Sequence, residues 1–262
     1  MPIETHADPV TMPSELAGGA TKATIFVTGD STTGLNPPSE KTGLKVSWAD
    51  VFQDWIETEK TSYHNEAVPG FTMRDFFHRG RLEEIFHKTK PGDVILACHG
   101  HLESAPLVRR QGRARGCLPG AGDETTTVFD KFFNREETVH TFGWYVKEYI
   151  GKSLARGVTL VLLSPAVRCA WVEGKIYRTK SRHYADVMQK VSMELGGRYL
   201  DFSTITENHL NGLGQEQSRR LFLDDDEAHT NREGAKLYAQ LLAASLREKY
   251  PEIFAARLKR DS

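Results

Sequence analysis

The chain has 262 residues, with 34 Lys and Arg against 35 Asp and Glu and a formal net charge of −1 at pH 7. This near-neutral balance gives no reason to expect a nucleic-acid partner or an anionic membrane surface. The length suits one α/β domain with a sizeable core. Cys98, Cys117 and Cys169 lack metal-binding CxxC spacing and are odd in number, which favours reduced thiols over a disulfide framework.

The two ends of the chain differ from the part between them. Residues 1–22 are polar with Pro and Gly, so we expect a flexible N-terminal arm, a single domain at 23–250 and a C-terminal tail at 251–262. No basic segment followed by an apolar core marks a signal peptide, and no apolar run approaches the length of a membrane span. We therefore expect a cytoplasmic protein; a processed secreted chain is the alternative, which the initial Met disfavours. The oligomeric state stays open.

The first motif is the stretch ATIFVTGDSTTG at residues 23–34. Its apolar run at 25–27 predicts a buried strand, and the GDST sequence at 29–32 predicts a sharp turn after it. In an open α/β sheet such a turn lies at the carboxyl edge, where ligands bind. Ser31 is therefore a candidate nucleophile, provided that another part of the chain supplies a base.

The following segments alternate between helical and strand patterns. Helical spacing of apolar residues predicts helices at 46–56, 73–88, 138–155, 181–196 and 232–249, and short apolar runs predict strands at 61–64, 94–98, 158–163 and 199–202. With the first strand, this order predicts a parallel five-stranded sheet with helices on both faces, joined by right-handed crossovers. Without repeats or low-complexity tracts, no domain boundary is indicated inside it.

Two histidines follow the third predicted strand, in the sequence His99-Gly100-His101-Leu102-Glu103. On an extended segment His99 and His101 share one face, which is compatible with metal ligation. No third ligand occurs at close spacing, so structural roles are favoured and no metal is expected. Arg74 and Arg81, in the helix before this strand, are interpreted as surface or structural residues.

Arginines at 109, 110, 113 and 115 form a basic run after this strand. The run has no interleaved aromatic residues, which disfavours nucleic-acid binding. We interpret it as an exposed loop or, alternatively, as a lid that contacts an anionic substrate. Arg168 and Trp171 follow the fourth predicted strand and are candidate pocket residues, with a surface ion pair and core packing as alternatives.

The stretch FLDDDEAHT at residues 222–230 supplies a candidate base. His229 follows Asp226 by three residues, just before the last predicted helix. This spacing allows Asp226 to contact Nδ1 of His229 while Nε2 faces a nucleophile, as nucleophilic catalysis requires. Asp224 and Asp225 are neighbouring alternatives to Asp226.

Four blocks of sequence together resemble the SGNH (GDSL-type) hydrolases, and within them the rhamnogalacturonan acetylesterase-like branch. The blocks are GDST at 29–32, NEAVPGFTMRDF at 65–76, GH at 100–101 and DEAHTNREGA at 226–235, and the resemblance spans about residues 24–242. It implies a flavodoxin-like three-layer α/β/α sandwich. It also implies a serine esterase that acts on a small-molecule or sugar ester without metal or cofactor.

The resemblance further implies roles for individual residues. Ser31 would be the nucleophile, His229 the base and Asp226, whose spacing matches the family, the acid that orients the histidine. The backbone N–H groups of Ser31 and Gly70 would bind the oxyanion. The candidate substrate-binding residues are Asp30, Thr32, Asn65, His101, Leu102, Arg168 and Trp171.

The chain departs from the family pattern at Leu102. The family has Gly-His-Asn-Asp here, and its asparagine side chain donates to the oxyanion, whereas this chain reads Gly-His-Leu-Glu at 100–103. Losing one such donor lowers kcat by ~10²–10³. Three interpretations stay open: an esterase in which another group such as His99 or His101 donates; an acyltransferase, isomerase or cyclase of a biosynthetic pathway; or a catalytically weak binding protein, which the intact triad disfavours.

Overall fold

The computed structural model of the protein describes residues 22–35, 44–108, 115–131, 133–177 and 181–260. Its strands are β1 (Ala23–Gly29), β2 (Thr61–Asn65), β3 (Val94–Cys98), β4 (Thr125–Asp130), β5 (Arg135–His140), β6 (Thr159–Leu163), β7 (Trp171–Val172), β8 (Lys175–Ile176), β9 (Arg198–Leu200), β10 (Phe222–Leu223) and β11 (Asp226–Thr230). Its helices are α1 (Trp48–Val51), α2 (Met73–His78), α3 (Arg81–Lys88), α4 (Phe142–Ala155), α5 (Ser181–Glu194), α6 (Phe202–Leu213), α7 (Gln215–Arg219), α8 (Arg232–Lys249) and α9 (Pro251–Phe254), with a 3₁₀ turn at Phe52–Trp55. Within the described ranges, no helix combines the length and apolar character needed to cross a membrane.

The central sheet has five strands in the order β2–β1–β3–β6–β9. Every pairing in it is parallel. Numbered within the sheet this is the order 2-1-3-4-5 of flavodoxin-like folds, whose ligands bind outside the carboxyl ends of the strands. Gly29 of β1 pairs with Cys98 of β3, so the segments that follow these two strands start at the same edge. The predicted α/β sandwich is confirmed.

Helices cover both faces of the sheet. Successive residues of a strand point to opposite faces, so Ile25 and Val27 join one core cluster and Phe26 joins the other. The first cluster includes residues of α1, α6 and α8, and the second includes residues of α2, α3, α4 and α5. The carboxyl edge, where Ser31 lies, is left to the loops between these layers.

The helix predicted at 73–88 is two helices, α2 and α3. Gly80 separates them with a φ of 72°, a left-handed conformation that favours glycine over other residues. α2 begins with a capping box, in which the hydroxyl of Thr72 accepts from the N–H of Asp75 and the Asp75 carboxylate accepts from the N–H of Thr72. The capping box fixes the direction in which the chain leaves the loop that contains Gly70.

The helix predicted at 138–155 begins later, at Phe142. Thr141 caps it by accepting a hydrogen bond from the N–H of Trp144. Residues 138–140 belong instead to β5, which pairs antiparallel with β4 in a hairpin. The hairpin escapes a periodicity search because its faces are mostly exposed and polar, so the apolar alternation that marks a half-buried strand is weak.

The C-terminal segment contributes to the core. Phe254 of α9 is fully buried and Leu258 is 1% exposed. Leu258 also forms an antiparallel bridge with Ile56. The segment predicted as a tail after residue 250 thus includes residues that pack against the domain.

A buried cluster of charged residues, here called the Arg115 cluster, attaches the β4–β5 hairpin to α2. It consists of Arg74, Asp75, Arg115, Asp130 and Glu137. Arg115 donates to Oδ1 of Asp75 at 2.8 Å, to Oδ2 of Asp130 at 2.5 Å and to Oε2 of Glu137 at 2.6 Å. Arg74 donates to the other oxygen of Glu137 at 2.7 Å. Both arginines therefore have structural roles.

The burial of Arg115 corrects the interpretation of this one arginine as part of an exposed loop or lid. Arg115 is 1% exposed, and its guanidinium is taken up by carboxylates rather than offered to a ligand. The other arginines of the run, Arg109, Arg110 and Arg113, lie outside the described residues, as does most of the N-terminal arm. Cys98, Cys117 and Cys169 are buried free thiols.

Candidate active site

The turn that carries Ser31 follows directly from the carboxyl end of β1. Asp30 is buried, and its Oδ1 accepts hydrogen bonds from the N–H and the hydroxyl of Thr32, each at 2.8 Å. The carbonyl of Ser31 accepts a hydrogen bond from the hydroxyl of Ser47 at 2.6 Å. These contacts hold the backbone of Ser31 at the edge of the sheet. None of them uses the hydroxyl of Ser31.

β11 brings His229 into hydrogen-bond distance of Ser31. Nε2 of His229 lies 2.9 Å from Oγ of Ser31, and Nδ1 of His229 lies 2.7 Å from Oδ2 of Asp226. The neighbouring Thr230 holds the strand in place, because its carbonyl accepts from the N–H of Val46 at 3.1 Å and its hydroxyl donates to the Val46 carbonyl at 2.5 Å. The structure thus brings together the three residues that the sequence motifs single out.

Asp226 is held as an ionised carboxylate. Its Oδ1 accepts the N–H groups of Ala228 at 2.9 Å and His229 at 3.0 Å, and Nζ of Lys45 lies 3.2 Å from Oδ2. Partial burial alone would raise the pKa of Asp226, but these N–H groups and the imidazole hold that pKa well below its usual range. An ionised Asp226 favours the tautomer with the proton on Nδ1, which leaves the Nε2 lone pair facing Ser31.

Two backbone N–H groups near the nucleophile turn have no acceptor among the described residues. The loop after β2 runs against the turn, because the N–H of Val68 donates to the carbonyl of Gly29 at 2.9 Å. Gly70 in this loop has a φ of 78°, which other residues adopt only with strain. In the part of the chain that the structure describes, the N–H groups of Ser31 and Gly70 make no hydrogen bond. They remain the candidate oxyanion donors.

Leu102 offers no substitute for the missing asparagine. Its side chain has no polar atom, and its backbone N–H donates to Oε2 of Glu103 at 3.1 Å. Glu103 is 1% exposed, and its other oxygen accepts the N–H of Met73 at 3.0 Å. The third donor of the family pattern is therefore replaced neither by the side chain of Leu102 nor by its N–H.

The neutral ring of His101 is also unsuited to donate to an oxyanion. Nε2 of His101 donates to the carbonyl of Ala166 at 3.0 Å, so Nδ1 of the neutral ring is an acceptor, buried and without a partner among the described residues. Burial lowers the pKa of His101, although Asp30 opposes this effect. Burial lowers the pKa of His99 to about 4, and its Nε2 faces the hydroxyl of Thr28.

Arg168 and Trp171 lie beside β11, in the segment that leaves β6. The N–H of the intervening Cys169 donates to the carbonyl of Glu227 at 2.8 Å. Arg168 lines an open cavity of about 500 Å³ together with residues 224–228, which include the exposed Asp224 and Asp225. Trp171 is half-buried and packs against the core. Contact of Arg168 or Trp171 with substrate stays a prediction.

The remaining candidate substrate-binding residues shape the site from within. The side chain of Asn65 donates to Oδ1 of Asp50 at 2.9 Å and accepts from the N–H of Ala67 at 3.1 Å. Asp30 and Thr32 bond to each other, as described above. Whether any of the three also contacts substrate stays a prediction.

Sequence reasoning missed Lys45 and Glu103. Both are single charged residues in loops, where no periodic pattern marks a buried or paired position. The only available signal was positional, since Glu103 stands where the family pattern has an aspartate after its asparagine. The ion pair of Lys45 with Asp226 joins segments far apart in the chain and has no local signature.

The chain is similar to known proteins in sequence and in fold. No family model matches the chain. It is 28% identical over 229 residues to a rhamnogalacturonan acetylesterase from Emericella nidulans, covering 87% of this chain and 84% of that protein. It is 25% identical over 238 residues to the rhamnogalacturonan acetylesterase RhgT from Bacillus subtilis, covering 86% and 89% respectively.

A solved structure extends the comparison to the fold. The crystal structure of protein YxiM from Bacillus subtilis matches with a TM-score of 0.67 and 22% identity, over 87% of this chain and 57% of that chain. At this identity the match shows similarity of fold alone. The similarity of sequence is shown by the two acetylesterases. The chain is thus similar in sequence to rhamnogalacturonan acetylesterases and in fold to YxiM, in line with the resemblance of its motifs to the SGNH (GDSL-type) hydrolases.

Proposed function

We propose that this protein is a serine esterase that removes an acyl group, with acetyl the first to test, from a small-molecule or sugar ester. One observation carries the proposal: Oγ of Ser31, the imidazole of His229 and the carboxylate of Asp226 form an unbroken chain with separations of 2.9 and 2.7 Å. The relatives from Emericella nidulans and Bacillus subtilis are named acetylesterases, which supports acetyl esters as first substrates.

The proposed reaction has two halves. Nε2 of His229 takes the proton of Ser31 as Oγ bonds to the ester carbonyl carbon, and Asp226 stabilises the imidazolium that forms. The bond to the alcohol then breaks as His229 returns the proton to the departing oxygen. Water then loses a proton to His229 and attacks the acyl carbon, and the bond from that carbon to Oγ of Ser31 breaks as His229 returns the proton to Oγ, which releases the acid. The N–H groups of Ser31 and Gly70 bind the oxyanion in both halves.

Product analysis tests this proposal. The protein is incubated with 4-nitrophenyl acetate and with acetylated mono- and oligosaccharides, and acetate release and product masses are followed. We expect free acetate and deacetylated alcohol in equal amounts. A product of unchanged mass would instead indicate isomerisation or cyclisation, and the absence of acetate release from every ester would contradict esterase activity.

Acyl transfer is the second candidate, and the apolar Leu102 is the observation that favours it. A leucine where the family has an amide lowers the hydration of the oxyanion side of the site. An alcohol is then favoured over water as the group that accepts the acyl chain. Adding alcohols of increasing size to the acetate assay separates the two reactions, because a transferase forms a new ester in preference to free acetate.

Leu102→Asn is expected to raise kcat/KM toward simple acetate esters by about 10–100-fold, because it restores a side-chain donor whose removal usually lowers kcat by ~10²–10³. Leu102→Ala is the matched control, since it removes the same leucine side chain without adding a donor. Initial rates with 4-nitrophenyl acetate measure both. A loss of activity in Leu102→Asn that Leu102→Ala shares would identify Leu102 as a wall of the substrate pocket.

A further inference from the structure

One buried carboxylate, that of Glu103, connects the two loops on the oxyanion side of the site. Its Oε1 accepts the N–H of Met73 at 3.0 Å and its Oε2 accepts the N–H of Leu102 at 3.1 Å. Met73 begins α2, directly after the loop that contains Gly70, and Leu102 follows β3. A single side chain thus links segments that leave two different strands of the sheet.

The Glu103 carboxylate is enclosed by neighbouring segments of the chain. The side chain is 1% exposed. The carbonyl of Glu103 accepts the N–H of Cys117 at 3.1 Å, and the hydroxyl of Thr72 donates to the carbonyl of Arg115 at 2.7 Å, so a further layer of chain covers the carboxylate. A buried N–H that loses its acceptor and cannot reach water destabilises the folded state. The surrounding backbone is therefore expected to move until that N–H finds another acceptor.

We propose that Glu103 is a positioning residue that sets the separation of the Gly70 loop from the Leu102 loop and thereby the geometry in which the ester oxyanion is bound. The inference rests on the proposed esterase function. With only backbone donors at the oxyanion, their placement carries the whole stabilisation. A displacement of about 1 Å at such groups lowers the rate ~10²-fold.

Titratable groups from several elements face the Glu103 carboxylate. They are Asp30 after β1, Cys98 in β3, Cys117 in the segment before the hairpin, and Tyr184 in α5. Burial among them raises the pKa of Glu103 to about 7. The carboxylate therefore accepts both N–H groups fully above that pH, and a proton on one oxygen competes with them below it.

Glu103→Gln tests the proposal because the amide keeps the size of the side chain but replaces one acceptor oxygen with a group that cannot accept. We expect kcat for 4-nitrophenyl acetate to fall ~10²-fold while KM stays within about two-fold. We also expect faster amide hydrogen exchange in segments 68–76 and 99–106.

Asp93→Asn is the matched control. Asp93 is also 1% exposed, and its two oxygens accept the N–H groups of Thr24 at 2.8 Å and Lys90 at 2.9 Å. It lies at the amino end of β3, at the opposite edge of the sheet. This variant loses the same kind of buried acceptor, yet kcat and the exchange of both segments should stay at wild-type values.

Two results would overturn the proposal: an equal loss of kcat in Glu103→Gln and Asp93→Asn, or wild-type exchange in both segments of Glu103→Gln. Failure of the esterase function looks different, because the wild-type protein would then release no acetate. In that case the exchange measurement still decides whether Glu103 holds the two loops.

Discussion

Ser31→Ala is expected to lower kcat on acetate esters by about 10⁴-fold or more, because the variant loses the hydroxyl that lies 2.9 Å from Nε2 of His229. Folding should be unaffected, since the contact of Ser31 with Ser47 uses the backbone carbonyl, which alanine retains. Initial rates at saturating 4-nitrophenyl acetate give the loss, and thermal unfolding checks the fold. A loss of less than about ten-fold would contradict covalent catalysis by Ser31.

Asp226→Asn and Asp225→Asn show which of the two neighbouring carboxylates orients His229. Asp226 lies 2.7 Å from Nδ1 of His229, whereas Asp225 is exposed in the turn before β11. Replacing the orienting carboxylate with an amide favours the wrong tautomer of the histidine, so we expect kcat to fall about 10³–10⁴-fold for Asp226→Asn. Asp225→Asn should retain wild-type activity, and equal losses in both variants would assign the effect to the charge of the turn rather than to orientation of His229.

Arg115→Met is expected to lower the free energy of unfolding by about 3–5 kcal/mol, because it leaves buried carboxylates without their shared partner. Those carboxylates belong to Asp75, Asp130 and Glu137. Burial alone would lower the pKa of Arg115, but Asp75 and Glu137 outweigh burial and raise it, so the guanidinium is charged throughout. Urea unfolding measures the loss.

Arg220→Met is the control for the removal of an arginine. Arg220 pairs with Glu216 on the surface, where both side chains are largely exposed, so little change in stability is expected. Similar losses in the two variants would contradict a structural role for the Arg115 cluster. They would show instead that the buried ion pairs of Arg115 contribute no more to the free energy of unfolding than a solvated ion pair does.

The Arg115 cluster also predicts a pH dependence of stability. Burial would raise the pKa of Glu137, but His78, Arg74 and Arg115 together lower it from its ordinary value of 4.5. This stabilisation is therefore complete above about pH 4.5 and is lost as the pH falls through the lower pKa of the folded state. Unfolding measured between pH 3 and 6 should show a flatter acid limb in Arg115→Met than in the wild-type protein.

The sheet and the proximity of Ser31 to His229 could be predicted from the sequence for the same physical reason. Buried parallel strands are short apolar runs, and their carboxyl ends meet at one edge, so a serine after β1 and a histidine before α8 had few other places to lie. The break at Gly80 and the β4–β5 hairpin were not predicted. The first depends on the φ of one residue, and the second is a polar hairpin held by ion pairs rather than by an apolar face.

The polar interior of the site was beyond sequence reasoning. Arg115 looked like a surface residue because a buried guanidinium is tolerable only where carboxylates surround it, and these lie 40 residues before it and 15 and 22 residues after it. The departure at Leu102 was visible in the motif. The consequence of this departure could not be predicted, because it depends on tertiary contacts. These contacts make Nδ1 of His101 an acceptor and give the Leu102 N–H an acceptor in the carboxylate of Glu103.

Intact-mass measurement after incubation with a fluorophosphonate examines whether the two ends of the chain form a working nucleophile and base. We expect one adduct per wild-type molecule, mapped by peptide mass to Ser31, and no adduct on Ser31→Ala. An unmodified wild-type protein at every reagent concentration, or an adduct that persists in Ser31→Ala, would contradict a nucleophilic Ser31 activated by His229.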